Sequence, residues 1–239
     1  WLAEATEDFV WAFKPGISLL RALWLNACFT LPSDRSPITT CPNPVNRYCL
    51  DLTKSTHWLR GKKVRRHKND FELTVNKDFR ATFLKCRDLH DDRGSGCWIT
   101  PELVDALDSC RQEPGALKVC AVELWDKASG KLAAAVMSFS VGDIFHDYTT
   151  ATFVRDSRSP GAILSKVLGH LLIECGFTLW YWGFKNPYMA EYDASYGGVL
   201  LDNKDEFWPR WKAAMGRCSE KFDLAARIPP GTALDLASL

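Results

Sequence analysis

Three successive strand-like segments, followed by a helix and a further strand, constrain the fold of this chain more than any other feature. Residues 117–125 and 131–141 are nearly continuous in apolar residues, and residues 144–154 are rich in β-branched and aromatic side chains. Residues 160–175 carry a wide apolar stripe at helical spacing, and the apolar segment 177–184 is typical of a buried strand. The pattern predicts an antiparallel meander that a helix joins to another strand.

The segments before the meander extend this order. Alternating apolar residues in Phe71–Val75 predict a half-buried strand, and apolar residues at helical spacing follow from Phe79. Thr100 is a suitable N-cap for a second helix, because Pro101 fits the first helical position and Glu102 the positive end of the helix dipole. The predicted order is β-α-α-β-β-β-α-β-α. It belongs to the α+β class with a mixed central sheet and resembles the GNAT acyltransferase fold.

The chain before this core has a different character. An amphipathic stretch at Ile17–Trp24 predicts a helix, and the Pro-, Ser-, Thr- and Asn-rich run Pro32–Asn46 predicts a long irregular connection. We therefore expect two parts: a small N-terminal helical and irregular region with a basic segment, residues 1–70, and a GNAT-like transferase domain, residues 71–239.

Charge is unevenly distributed along the chain. The total of 30 basic and 29 acidic residues gives a net charge of only +1, yet the stretch from Leu52 to Asn69 contains seven basic residues and no acidic one. Such a cluster could neutralise several phosphates, so it predicts RNA binding; a solvated face or a bridge between domains is the alternative. The predicted RNA-binding residues are Lys54, Arg60, Lys62, Lys63, Arg65, Arg66 and Lys68.

Neither a metal site nor a membrane span is predicted. The nine cysteines are scattered, without a C-x-x-C motif or a Cys/His cluster of zinc-like spacing, and we interpret them as reduced thiols of an intracellular protein, cytoplasmic or mitochondrial. The longest apolar stretch, Ile17–Pro32, is interrupted by Arg21 and Asn26 and is too short to cross a bilayer.

Several short motifs spread along the chain carry a family resemblance. They are Cys97–Leu103 (CWITPEL), Val122–Trp125 (VELW), Ser195–Gly198 (SYGG) and Lys204–Phe207 (KDEF). Together they resemble the leucyl/phenylalanyl-tRNA–protein transferases over about Asp51 to Trp211. Ser140–Ile144 is similar to a segment in the divergent eukaryotic branch of that family.

The resemblance implies a transferase that moves a Leu- or Phe-type aminoacyl group from aminoacyl-tRNA to the α-amine of an acceptor protein that begins with a basic residue. No cofactor is implied, because the ester is already activated and the enzyme mainly holds and orients its two substrates. The implied catalytic residues are Glu123, Tyr181 and Thr150. The implied substrate-binding residues are Trp98, Phe153, Ser195 and Tyr196.

Motif positions near the expected chemistry differ from the family, and the family histidine two residues before V-E falls on Cys120. The family glutamate before the central helix aligns with Thr150 when Phe153 is matched to the motif phenylalanine. The family D-x-Q strand motif falls on Tyr181-Trp182-Gly183. These differences leave a second hypothesis open, in which the chain is a catalytically degenerate member that serves as a binding or scaffold subunit of a larger assembly.

A third hypothesis is an acyl-CoA N-acetyltransferase. In that fold a loop before the central helix cradles a pyrophosphate through backbone N–H groups, and Pro160 removes one such donor here. The sequence therefore disfavours this hypothesis. Among the histidines, only His146, which lies beside Asp147 and Tyr148, is worth testing for a role in the site.

Overall fold

Two β-sheets organise the molecule. The structure is a computed structural model that describes residues 7–54, 58–91, 97–217 and 222–239. The strands are β1 (Phe9–Phe13), β2 (Leu31–Ser33), β3 (Ser36–Pro42), β4 (Asn46–Asp51), β5 (Phe71–Val75), β6 (Leu117–Asp126), β7 (Leu132–Val141), β8 (Ile144–Thr152), β9 (Leu179–Tyr181), β10 (Val199–Asp202) and β11 (Leu234–Asp235). The small sheet has the order β1-β3-β2, and the large sheet has the order β10-β4-β9-β8-β7-β6-β5-β11.

Helices cover both faces of the large sheet. They are α1 (Ile17–Leu25), α2 (Lys62–His67), α3 (Phe79–Asp91), α4 (Pro101–Gln112), α5 (Pro160–Glu174), α6 (Ala190–Tyr196), α7 (Trp208–Met215) and α8 (Leu224–Arg227). Apolar residues of α1, α3, α4 and α7 share one core with the sheet, while α5, Trp58 and the C-terminal segment share the other. All ten residues of the central strand β7 are buried, which explains its continuous apolar sequence.

The predicted strand and helix order is confirmed. Strands β6, β7 and β8 form an antiparallel meander, and α5 crosses over to β9, which pairs parallel to β8 with His146 opposite Tyr181. The Thr100 hydroxyl accepts a hydrogen bond from the Leu103 N–H and caps α4, as the sequence predicts. The α+β class with a mixed sheet is therefore confirmed, and the topology agrees with the GNAT-like layout.

The N-terminal part contributes more regular structure than the sequence predicts. The run predicted to be irregular contains most of β2 and all of β3, which pairs with β1. Pro37 and Pro42 lie near the two ends of β3. The carbonyl of Pro37 still accepts a hydrogen bond, from the N–H of Lys14. Strand β4 enters the large sheet between β10 and β9. The predicted boundary at residue 70 therefore does not separate two sheets, and the division into two domains stays a prediction.

Candidate active site

A cavity of about 600 Å³ opens where the two parallel strands of the large sheet separate. Strand β9 ends at Tyr181, whereas β8 continues to Thr152. Strand β8 also carries a bulge: Asp147 lies opposite Ser138 and Thr149 opposite Met137, so Tyr148 is left without a partner in the ladder. Bulges redirect side chains, and crevices at the carboxyl ends of parallel strands are common ligand sites. The topology thus creates the opening that the lining residues then shape.

Aromatic rings form most of the wall of this cavity. The rings of Phe29 and Trp98 pack edge-to-face on Tyr148, with centroids 4.8 and 4.9 Å from the Tyr148 ring. The Tyr148 hydroxyl and Trp24 are both hydrogen-bonded to Thr30, which fixes this side of the wall. The other aromatic lining residues are Trp182, Phe184 and Tyr192. A cavity of this size with such walls can enclose an apolar side chain and a flat base.

Asp147 is the only acidic residue among the described residues that line the cavity. The Thr150 hydroxyl donates a hydrogen bond that the two carboxylate oxygens share, with Oγ1 to Oδ1 and Oδ2 distances of 3.1 and 2.9 Å. Burial raises the pKa of Asp147 to about 7, and the hydrogen bond from Thr150 opposes that rise. A carboxyl group with this pKa is present in both protonation states near neutral pH, so it can both accept and donate a proton.

Other polar groups surround Asp147. Thr149, Asn186, His90 and Arg155 all line the cavity, and a His90 ring nitrogen lies 3.3 Å from the Thr149 hydroxyl. Arg155 lies in the exposed loop between β8 and α5. The set combines one titrating acid with other hydrogen-bonding groups and a cation at the rim, which is enough to orient a polar substrate in an otherwise apolar cavity.

Tyr181, a predicted catalytic residue, lies behind the cavity wall. It is 1% exposed, and its hydroxyl accepts a hydrogen bond of 2.5 Å from Nη1 of the buried Arg47. The His146 ring stacks on Tyr181 with centroids 4.4 Å apart, and burial lowers the pKa of His146 to about 3, so this histidine stays neutral. Tyr181 does not line the cavity. The contacts of Tyr181 with Arg47 and His146 indicate that it supports the cavity wall from behind and does not touch a substrate.

Glu123, a second predicted catalytic residue, is fully buried and does not line the cavity. Its carboxylate accepts four hydrogen bonds, from the hydroxyls of Thr74 and Thr82 and the backbone N–H groups of Lys77 and Asp78. Since Lys77 and Asp78 directly precede α3, the carboxylate satisfies free donors at the start of this helix. This arrangement ties α3 to β5 and β6 and favours a structural role.

The other predicted site residues are divided between the cavity and its surroundings. Trp98 and Thr150 line the cavity. Phe153 does not; it packs partly buried against the core that includes α3 and α4. Ser195 and Tyr196 end α6, where the Ser195 carbonyl accepts a hydrogen bond from Lys166 and the Tyr196 ring stacks on Trp58. They lie one turn beyond the lining residue Tyr192, so their predicted binding role stays a prediction.

The described part of the predicted RNA-binding segment, Lys54 and residues 58–69, forms an exposed basic surface on the α5 side of the sheet. Trp58 anchors it: this side chain is buried against Gly169 of α5, where an added Cβ would lie 2.6 Å from the ring. The Lys63 ammonium donates to the Ser159 hydroxyl at 2.6 Å, and Lys54 pairs with Asp51. The remaining cations have no ion-pair partner among the described residues. They are Arg60, Lys62, Arg65, Arg66 and Lys68.

Several lining residues were not predicted. The sequence singled out His146, which does not line the cavity, and not its neighbours Asp147 and Tyr148, which do. The bulge that brings Asp147 to the cavity is not visible as a sequence pattern. Phe29 comes from a distant part of the chain. The sequence around Phe29 contains no pattern that predicts a role for this residue in a site.

Metal-binding and membrane-spanning features are not found in the described part of the chain. No three His, Cys, Asp or Glu side chains group closely enough there to hold a metal ion, and the eight described cysteines are buried free thiols. No helix among the described residues has the length and apolar character needed to cross a bilayer.

Comparisons with known proteins identify the family. The leucyl/phenylalanyl-tRNA protein transferase family matches residues 51–198. A leucyl/phenylalanyl-tRNA–protein transferase of Oleidesulfovibrio alaskensis is 26% identical over 187 residues, which cover 76% of this chain and 69% of that protein.

Two solved structures are more distant. L-PGS from Bacillus licheniformis is 16% identical with a TM-score of 0.41, over 70% of this chain and 56% of that one. A probable N-acyltransferase from Enterococcus faecalis is 11% identical with a TM-score of 0.43, over 84% and 44%. This chain thus spans about half the length of both structures. From the match to residues 51–198, the chain belongs to the leucyl/phenylalanyl-tRNA protein transferase family.

Proposed function

We propose that this chain is an aminoacyl-tRNA–protein transferase, which moves a Leu- or Phe-type aminoacyl group from tRNA to the α-amine of an acceptor protein. The observation that carries the proposal is Asp147, a carboxyl group with a pKa of about 7 in a cavity with aromatic walls at the carboxyl ends of β8 and β9. Family membership supports the same reaction class.

The aromatic wall suits the aminoacyl end of tRNA. A leucyl or phenylalanyl side chain is apolar, and the terminal adenine presents a flat face on which an aromatic ring stacks. The cavity volume of about 600 Å³ lies within the range of small-ligand sites, about 300–1,000 Å³. Enclosure in this cavity would remove water from the ester, which otherwise competes with the amine for the carbonyl carbon.

Asp147 supplies the proton transfer that the reaction needs. The neutral α-amine attacks the ester carbonyl carbon, and a C–N bond forms as the carbonyl π-electrons move to oxygen. The ionised Asp147 carboxylate accepts a proton from the attacking nitrogen and returns it to the ribose oxygen as the ester C–O bond breaks. Thr149 and Asn186, which line the same cavity, are candidate donors to the developing oxyanion.

The exposed basic surface suits the tRNA backbone. Lys63 contacts Ser159 at the start of α5, and Arg155 of the preceding loop lines the cavity, so cations extend from α2 to the cavity rim. Phosphates bound along this path would direct the 3′ end of the tRNA toward Asp147. The comparisons give no support to the alternative of a subunit in a larger assembly.

The test uses purified protein, leucyl- or phenylalanyl-tRNA, and a peptide that begins with Arg. Mass spectrometry of the peptide is expected to show one added aminoacyl residue with the wild type and with Glu102→Gln, an exposed control on α4. Asp147→Asn is expected to abolish most of the transfer. Absence of transfer by folded wild type that binds the tRNA would contradict the proposal.

A further inference from the structure

Strand β1 presents three large aromatic side chains to solvent at the edge of the small sheet. Phe9, Trp11 and Phe13 alternate along the strand and are 56%, 63% and 63% exposed, while Val10 and Ala12 on the other face are partly covered. Ile38 of β3, which lies opposite Phe13, extends the apolar face. An aromatic row of this kind on an edge strand is unusual, because soluble proteins normally protect such edges with charge, proline or a covering element.

The same residues carry the free hydrogen-bonding groups of the edge. Within the described residues β1 pairs only with β3, through contacts that include Lys14 N–H to Pro37 O and Asn43 N–H to Asp8 O. Because hydrogen-bonding direction alternates along a strand, the even-numbered residues face β3. The N–H and C=O groups of Phe9, Trp11 and Phe13 therefore point outward, away from β3.

The charges at the two ends of β1 are complementary to those of a second β1 strand that runs antiparallel to it. Asp8 precedes β1 and Lys14 follows it, and both side chains are exposed. Neither has an ion-pair partner among the described residues; Lys14 only lies over the Phe13 ring. In an antiparallel pair centred on Trp11, each Asp8 lies opposite the partner's Lys14, and each Phe9 lies opposite the partner's Phe13.

We propose that the occupant of this edge is a second copy of the chain, and that β1 pairs with the partner's β1 around a two-fold axis at Trp11. This register uses only outward-facing backbone groups on both copies, joins the two small sheets into one six-stranded sheet, and places the aromatic rows side by side on one face. Opposite charges at both ends favour it over registers centred on Phe9 or Phe13. No residue of β1 lines the cavity, so the inference is independent of the proposed function.

Sedimentation of the full chain over a wide concentration range tests the proposal. The wild type is expected to be a reversible dimer, and Trp11→Lys is expected to weaken association about thirtyfold or more, as loss of a central aromatic contact does. Leu200→Lys, an exposed apolar residue on the edge strand β10 of the large sheet, is the matched control and is expected to leave association unchanged.

Charge reversal tests the register without removing an aromatic residue. Lys14→Asp places two acidic residues at each end of the strand pair and is expected to weaken the dimer, whereas the double change Asp8→Lys with Lys14→Asp is expected to restore it. A monomer at all concentrations would overturn the proposal, as would a dimer that Trp11→Lys leaves intact. If Leu200→Lys abolishes the dimer and Trp11→Lys does not, the interface lies at β10, and the proposal is also overturned. Circular dichroism identifies a variant that has not folded.

Discussion

Two carboxylates near the middle of the large sheet have opposite surroundings. Glu123 on β6 accepts four hydrogen bonds from four different groups and has no exposed surface. Among the described residues, Asp147 on β8 accepts hydrogen bonds from a single hydroxyl, that of Thr150, and it faces a cavity. A carboxylate offers about four acceptor sites, so those of Glu123 are filled while Asp147 keeps free capacity for a substrate.

The comparison of Glu123 with Asp147 shows that membership in a family motif does not by itself tell whether a buried acid is free to react. Glu123 lies in the motif VELW, which carries the family resemblance, yet its hydrogen bonds are used to hold the start of α3. Asp147 lies outside the quoted motifs, yet burial without enough partners raises its pKa to about 7. We therefore propose Asp147, which keeps unused hydrogen-bonding capacity next to a cavity, as the reactive carboxylate, and not Glu123.

The largest expected effect is on transfer by Asp147→Asn. The amide retains the shape of the carboxyl group but cannot accept the proton, so the single-turnover transfer rate is expected to fall about 100- to 1,000-fold. Quenched single-turnover assays at saturating aminoacyl-tRNA measure this rate. An equal rate in the variant would remove the distinction between the two carboxylates.

Glu123→Gln is expected to affect stability and not chemistry. An amide cannot accept all four hydrogen bonds and leaves buried donors unsatisfied, so the free energy of unfolding is expected to fall by about 3 kcal/mol. Urea denaturation measures this change, and Glu102→Gln is the exposed control. The transfer rate per folded molecule is expected to stay within about twofold of the wild type. A large loss of rate in folded Glu123→Gln would instead support the catalytic role predicted from the sequence.

Asp147→Asn is expected to change stability in the opposite direction. Because folding raises this pKa from its ordinary value near 3.8 to about 7, the folded chain holds the proton more tightly than the unfolded chain does. The carboxyl group therefore lowers stability progressively as the pH rises from about 4 to about 7, and its full cost remains above pH 7. At pH 8 the variant is expected to be more stable by up to about 4 kcal/mol, which is the linkage value for a rise of about three pKa units, and at pH 4 about equal. Urea denaturation at both pH values tests this; equal stability at pH 8 would contradict the raised pKa.

Neutralising the basic surface is expected to weaken tRNA binding without altering the chemistry at Asp147. Arg65→Ala with Arg66→Ala is expected to raise KM for aminoacyl-tRNA about tenfold and to reduce the slope of log affinity against log salt by about 2. The control is Lys131→Ala with Lys212→Ala, two exposed lysines on other elements. An identical KM for both double variants would show that α2 does not contact the RNA.

The smallest effect concerns Thr150, the hydrogen-bond partner of Asp147 in the part of the chain that the structure describes. Thr150→Val removes the hydroxyl that stabilises the carboxylate, so the pKa governing transfer is expected to rise by about 0.5–1 unit. Thr149→Val, in the same cavity but without a hydrogen bond to Asp147, is the matched control for the pKa only: loss of this candidate oxyanion donor is expected to lower the rate and leave the pKa unchanged. If the pKa that governs transfer is unchanged in Thr150→Val, the hydrogen bond from Thr150 does not affect the pKa of Asp147.

The sequence predicts the fold better than the site. Apolar periodicity and the Thr100 cap depend on local spacing, so the meander, α4 and α5 are all predictable. The bulge at Tyr148 is not, because it adds a residue to one strand without changing the apolar pattern. Alignment on Phe153 places the family glutamate at Thr150, whose hydroxyl donates a hydrogen bond to the carboxylate of Asp147. Phe29 reaches the cavity only through tertiary packing, and β4 contains the polar residues Asn46, Arg47 and Asp51, which obscure its strand character.

The pH dependence of single-turnover transfer tests the role of Asp147 most directly. With saturating substrates, the logarithm of the wild-type rate is expected to rise with a slope of about 2 below pH 7, where both Asp147 and the acceptor α-amine must lose a proton, and with a slope of about 1 between the two pKa values. Asp147→Asn is expected to be slow and to retain only the later rise from titration of the acceptor α-amine, whose ordinary pKa is about 7.7–8.0. Identical rates and profiles for the two proteins would contradict the assignment of Asp147 as the proton acceptor.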